Sequence, residues 1–192
     1  MSFRKPIRLI LLVVSLLPTV FSVRAQSQLH FDEEYLTFEL HRQEFRVSGV
    51  YLFSSTDSSE HTILYPFPVD TLFGEAYDIQ VRDVKSGKNL PIEMEKDKSG
   101  IRFQILVAGS VQLQIGYAQA LKSNRAKYIL TTTQNWGRPL HVANYTLVVD
   151  ANLEMLKFPM MYQKKMLQGS KILYFWQKTD FMPTTDFEVQ FK

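Results

Sequence analysis

Apolar side chains at every second position constrain this chain most, because a period of two fits a strand with one buried face. Val111, Leu113, Ile115 and Tyr117 alternate with Gln112, Gln114 and Gly116. Leu36, Phe38 and Leu40 do the same against Thr37 and Glu39, and Asp186–Phe191 alternates strictly. The pattern predicts further strands over Ala76–Val84, Leu90–Glu95, Tyr128–Thr133, His141–Val149 and Lys171–Lys178. Ala118–Ala126 has the composition of a short helix, and Phe158–Gln168 is open between helix and strand. Many short strands with little helix predict an all-β fold, an antiparallel sandwich of the immunoglobulin-like kind.

Two hairpins are expected within this frame. Val47–Phe53 and Thr62–Tyr65 read as strands joined by the polar run Ser54–Glu60. Pro66 and Pro68 then end the second strand, since proline cannot donate a ladder hydrogen bond. Ile101–Val107 and Val111–Tyr117 read as a second pair around Ala108-Gly109-Ser110, where the glycine suits a turn.

The first 25 residues read as a targeting segment. Arg4, Lys5 and Arg8 precede the apolar run Leu9–Leu17, Pro18 breaks that run, and Val23-Arg24-Ala25 supplies small residues for cleavage. That is the layout of a secretory signal peptide. The expected organisation is therefore residues 1–25 as a signal-peptide helix and residues 26–192 as one sandwich domain, with a split into two β lobes near residue 120 as the alternative. Of the 22 basic residues, four lie in this segment, and it holds no acid. The remainder thus carries 18 bases against 19 acids, a net of −1, which argues against nucleic acid as a partner. The charge is uneven: residues 26–97 hold 14 acids and 6 bases, residues 98–192 hold 5 and 12. Either an anionic partner or strands from the two halves interleaving in one sheet pair would account for this. The absence of cysteine excludes a disulfide framework.

Val47-x-Gly49-x-Tyr51-x-Phe53, a polar loop and Tyr65-Pro66-Phe67-Pro68 resemble the opening of vault/inter-α-trypsin-type β-sandwich domains and of related bacterial secreted domains. Tyr128-Ile129-Leu130-Thr131-Thr132 followed by Trp136 is similar to the second half of the bacterial group. Ser54 and Ser55 depart from the asparagine turn usual there. The resemblance implies a sandwich and an envelope location, and it brings no catalytic or binding residues with it.

Chemistry is sparse. His30, His41, His61 and His141 are scattered, and neither a His-Glu-x-x-His zinc motif nor a Gly-x-Ser-x-Gly elbow occurs. His30 with Asp32, Glu33 and Glu34 could ligate a cation, but a solvated strand entrance is the plainer reading. Asp57, Glu60 and His61 match no calcium loop. Glu93 and Glu95 share one strand face, as solvated carboxylates commonly do, and Ser110 fits a turn. No enzyme and no cofactor are expected. Binding is better supported: Lys157, Tyr162, Lys164, Lys165, Lys171 and Trp176 mix cations with aromatics, which suits an anionic lipid or glycan. Trp136 beside Arg138 is a second candidate anchor. These apolar residues could equally be core, with the lysines as their solvent-facing alternates.

The sequence thus predicts an exported, periplasmic or extracellular, non-catalytic module of the cell envelope. Its partner would be an envelope protein or an anionic envelope component, and self-association is open. A small outer-membrane β-barrel and a lipid- or ligand-binding protein with an internal cavity are the alternatives.

Overall fold

Strand β1 (Leu29–Leu40) and strand β2 (Glu44–Pro66) form an antiparallel pair, turned by a loop in which the His41 N–H donates to the Glu44 carbonyl at 2.9 Å. The computed structural model describes residues 29–69 and 72–192; the expected signal-peptide helix over residues 1–25 lies outside them. After β3 (Ala76–Asp83) and the two-residue β4 (Glu93–Met94) comes β5 (Gly100–Ala120). Then follow β6 (Arg125–Tyr128), a 3-10 helix (Thr131–Trp136), β7 (Leu140–Asp150), β8 (Met155–Lys157), β9 (Lys164–Gln168), β10 (Lys171–Phe181) and β11 (Phe187–Phe191).

Two sheets result. The larger runs β3-β5-β2-β1-β7-β10-β9, with β4 also on β5, and the smaller is β6-β11-β8. All pairs are antiparallel except β1 with β7, so the expected antiparallel sandwich is a mixed one. β1 therefore sits between strands from both sides of residue 120. The buried apolar residues of the two sheets form a single cluster. Phe38, Tyr145 and Trp176 of the large sheet meet Phe187 of the small one at centroid distances of 4.2, 6.2 and 5.3 Å. Among the described residues four pairs join the acidic and basic halves: Arg138 with Asp32, Arg102 with Glu95, Lys98 with Glu75 and His41 with Asp150.

The two expected hairpins are not hairpins. β2 is continuous over 23 residues, β5 over 21, and they pair with each other from Glu44↔Ala120 to Pro66↔Gly100. The polar run and the Ala-Gly-Ser run face each other at one bulge, between Ser55↔Gly109 and Ser59↔Val107. Residues 56–58 oppose Ala108 alone, an excess of two, and an even excess leaves the side-chain parity unchanged. Odd positions thus stay inside along the whole ribbon: Phe45, Val47, Tyr51 and Phe53 before the bulge, Ile63 and Tyr65 after it. Gly109 supplies the left-handed backbone (φ +82°) that the bulge needs.

Other elements also shift. Ala118–Ala126 is no helix: Ala118 and Gln119 are buried strand residues, and β6 begins at Arg125. Strand Tyr128–Thr133 ends at Tyr128 and gives way to the 3-10 helix, whose Thr131 N–H and hydroxyl both donate to Asp186 Oδ1, at 3.1 and 2.7 Å. Phe158–Gln168 resolves into loop and strand β9.

Candidate functional site

The described pairing of β1 with β2 ends at Leu29↔Ser55, yet β2 runs on to Pro66. From Ser59 to Pro66 it has β5 on one side and, among the described residues, no strand on the other. Facing that open edge is the segment from Ile129 through the 3-10 helix to Trp136, and between them lies a cavity of about 390 Å³. Its mouth is formed by Thr62, Leu64 and Asn135, all exposed. Its walls are aromatic: Phe31 stacks on Phe53 at 5.1 Å, and Trp136 lies 5.9 and 5.5 Å from these two rings.

The inner end is polar. Glu34 sits on the core face of β1, in phase with Leu36 and Phe38, and is 2% exposed. Among the described residues it receives one hydrogen bond, donated by the Tyr145 hydroxyl of β7. Burial pushes its carboxyl up to about 7, and the Tyr145 bond opposes that rise only in part. Next to it the hydroxyls of Tyr51, Tyr65 and Tyr128 form a closed ring, with separations of 2.8, 2.9 and 3.4 Å. Burial holds all three phenols well above their ordinary range, so they stay protonated. Nearby Tyr117 is likewise buried, and its hydroxyl finds no partner among the described residues. Among the described residues no lysine, arginine or histidine lines the cavity.

Local sequence explains this geometry. Gly49, two residues before Tyr51 on the same face, leaves room for the Tyr51 side chain: a Cβ there would lie 2.5 Å from the Tyr51 hydroxyl oxygen. The opposite wall is tied down by Asp186, which also meets Lys127 at 2.8 Å, and by Gln134 Nε2 donating to the Pro183 carbonyl at 2.7 Å. Burial alone would raise the Asp186 carboxyl; the bonds from Lys127 and Thr131 outweigh it and hold the group below its ordinary value.

The residues singled out from sequence fall into two separate places. Trp136 is half-buried as a wall of the cavity, and Arg138 is engaged with the buried Asp32. Trp176 is core, 1% exposed, with its indole N–H donating to the Met160 carbonyl at 3.2 Å, so it cannot serve as a surface anchor. Tyr162 packs on Phe158 and Tyr174, at 5.2 and 5.0 Å. Lys171 is paired with Asp150. Lys157, Lys164 and Lys165 are exposed, the last two over the rings of Phe175 (5.7 Å) and Tyr174 (5.5 Å). The aromatics there are thus mostly packing and the lysines their solvated cover. The acidic run at the start of β1 disperses, since Asp32 goes to Arg138 and Glu34 to Tyr145. Among the described residues no three His, Cys, Asp or Glu side chains converge. Sequence reading took Glu34 only as one of the acids of a solvated strand entrance; the signal of its burial was its in-phase position with Leu36, Phe38 and Leu40. A larger concavity of about 640 Å³ lies on the outer face of the sheet, but it is polar, and its Arg46 is already bound to Glu44.

Residues 112–190 match the family model described as a domain of unknown function, DUF4424. No curated protein matches the chain. Among solved structures, a Legionella pneumophila protein described as a candidate nutrient binding protein is similar at 13% identity with a TM-score of 0.65, over 86% of this chain and 67% of that one. An M1 zinc metallopeptidase from Deinococcus radiodurans is similar at 8% identity with a TM-score of 0.52, over 86% of this chain and 43% of that one. This chain therefore spans about two thirds of the first protein and less than half of the second. At these identities the likeness concerns the fold alone.

Proposed function

We propose that this protein is a non-catalytic binding module of the cell envelope, exported by its N-terminal segment, that takes a small, largely apolar ligand in the cleft between β2 and the 3-10 helix. The observation that carries the reading is an aromatic-walled cavity of about 390 Å³ ending on a buried carboxyl. That volume lies within the roughly 300–1,000 Å³ typical of small-molecule sites, and an apolar lining with few polar groups is their usual make-up. The described lining offers threonine and tyrosine hydroxyls without a neighbouring histidine or lysine to activate them, which favours binding over catalysis. The fold shared with a candidate nutrient binding protein agrees with this. A relation to vault/inter-α-trypsin-type and immunoglobulin-like sandwiches would fit the two-sheet arrangement.

Native mass spectrometry of the protein isolated from its own cells tests the reading. A small-molecule adduct is expected on the wild type and not on Thr62→Trp, which fills the mouth. No adduct, or one unaffected by the filled mouth, would overturn the assignment. N-terminal sequencing of the fractionated protein should begin after Ala25.

The exposed Lys157, Lys164 and Lys165 favour a second surface, one for an anionic lipid or glycan. Lys164→Glu with Lys165→Glu should abolish retention on anionic vesicles; unchanged retention removes that surface.

A further inference from the structure

Resting on the binding role proposed above, we infer that the cleft takes an organic ammonium, with an apolar body between the aromatic walls and the charged nitrogen docked on Glu34. The charge balance of the cavity points this way. Glu34 is 2% exposed and, among the described residues, receives a single hydrogen bond and has no cationic side chain lining the space it faces. Arg138, on the segment that leaves the cleft wall, is held by Asp32 and is not among the lining residues. A buried carboxylate is stabilised chiefly by an adjacent cation with donors of its own, and the described residues supply none here. A ligand can.

The hydrogen-bond inventory agrees. Three tyrosine hydroxyls bring three protons and six lone pairs. Their mutual contacts use the protons and leave lone pairs over. Tyr145 spends its proton on Glu34, whose carboxylate has further acceptor sites. The inner end is therefore rich in acceptors and poor in donors, and an ammonium is a donor without acceptors. The rings of Phe31, Phe53 and Trp136 give a cation negative π faces on its way in. A neutral alcohol would meet the acceptors but leave the carboxyl uncompensated, and a carboxylate ligand would be repelled once Glu34 ionises.

Binding should also depend on pH in a defined sense. The groups facing Glu34 are Tyr51 and Tyr65 from β2, Tyr128 from β6 and Tyr145 from β7, and burial raises the pKa of each. Glu34 is thus the group that titrates near neutrality, at about 7. Its ionised fraction rises about tenfold from pH 6 to pH 8, and ammonium affinity should rise with it.

The probes are n-octylammonium, n-octanol and octanoate, titrated into the full chain at pH 6 and pH 8. Calorimetry and Trp136 emission follow binding, with Trp136→Phe identifying the cleft as the source of the optical change. At pH 8 the wild type should bind n-octylammonium at least tenfold more tightly than n-octanol, and octanoate least. Glu34→Gln should bring the ammonium and the alcohol to within about threefold. Glu34→Asp should restore part of the preference, which separates a charge effect from misfolding. If n-octanol or octanoate binds the wild type as tightly as n-octylammonium, or if Glu34→Gln keeps the preference, the ammonium assignment falls while the binding role stands. If no probe of any charge binds or alters Trp136 emission, both fall.

Discussion

Glu34 makes a prediction about stability that needs no ligand. In the unfolded chain its carboxyl titrates near 4.5, and burial in the fold pushes it up to about 7. The native state therefore holds more protons than the unfolded state between these values, and stability falls as pH rises through that window. The contribution is fully present below 4.5 and lost once pH passes 7. A difference of about 2.5 pKa units at 1.36 kcal/mol each corresponds to an effect on the order of 3 kcal/mol. Glu34→Gln keeps a carbonyl to accept the Tyr145 hydroxyl but has no proton to lose. Urea unfolding of both proteins from pH 4.5 to pH 8 isolates the effect of Glu34, because other carboxylates such as Asp150 and Asp186 contribute equally to each. The variant should be close to the wild type at pH 4.5 and more stable by about 3 kcal/mol at pH 8. A difference that stays constant across the window, or that favours the wild type at high pH, refutes the assignment of Glu34 as a buried carboxyl without a counter-charge.

Three further outcomes follow from particular contacts. Gly49→Ala places a methyl 2.5 Å from the Tyr51 hydroxyl oxygen and should cost about 1–3 kcal/mol, with a shift in the near-ultraviolet tyrosine signal; an unchanged midpoint and spectrum would contradict the packing. Asp186→Ala removes the acceptor for both Thr131 donors and the partner of Lys127, and should destabilise by about 2–3 kcal/mol near neutral pH. Because the wild-type carboxyl is depressed, its contribution is present above its ordinary value and lost in acid, so the gap between the two proteins should narrow below pH 4 in denaturant titrations. Arg138→Ala strands the buried Asp32 and should cost about 2–3 kcal/mol, less than the loss from a fully buried pair because Arg138 is itself partly exposed; thermal unfolding checks it.

The strands were legible in the sequence because each buries one face, and Leu36-Phe38-Leu40 or Leu113-Ile115-Tyr117 can be read in one phase only. Their pairing was not. Ser54–Glu60 and Ala108-Gly109-Ser110 carry the same residues whether they turn a hairpin or form a bulge. The even excess at that bulge preserves the odd-position phase, so periodicity gave no sign that β2 continues past Ser55. The 3-10 helix was hidden for a different reason. Its Thr131-Thr132-Thr133 run is β-branched, and the tertiary bond to Asp186, more than fifty residues away, overrides that propensity. Of the site, Trp136 was visible as an unusual loop residue, and its role as plug or anchor turned on Phe31 and Phe53. Glu34 looked like one of three consecutive acids. Its phase with Leu36-Phe38-Leu40 puts it on the inner face, and the register of β1 against β2 and β7 places it beside Tyr51 and Tyr145 while Glu33 stays outside.

The central claim, that the cleft along the open edge of β2 is where this protein binds, is tested most directly by backbone hydrogen exchange with and without n-octylammonium at pH 8. Protection confined to the amides of residues 62–65 and 129–136 is the predicted result. Protection mapping instead to residues 164–178, or absent from both walls of the cleft at saturating probe, would contradict it.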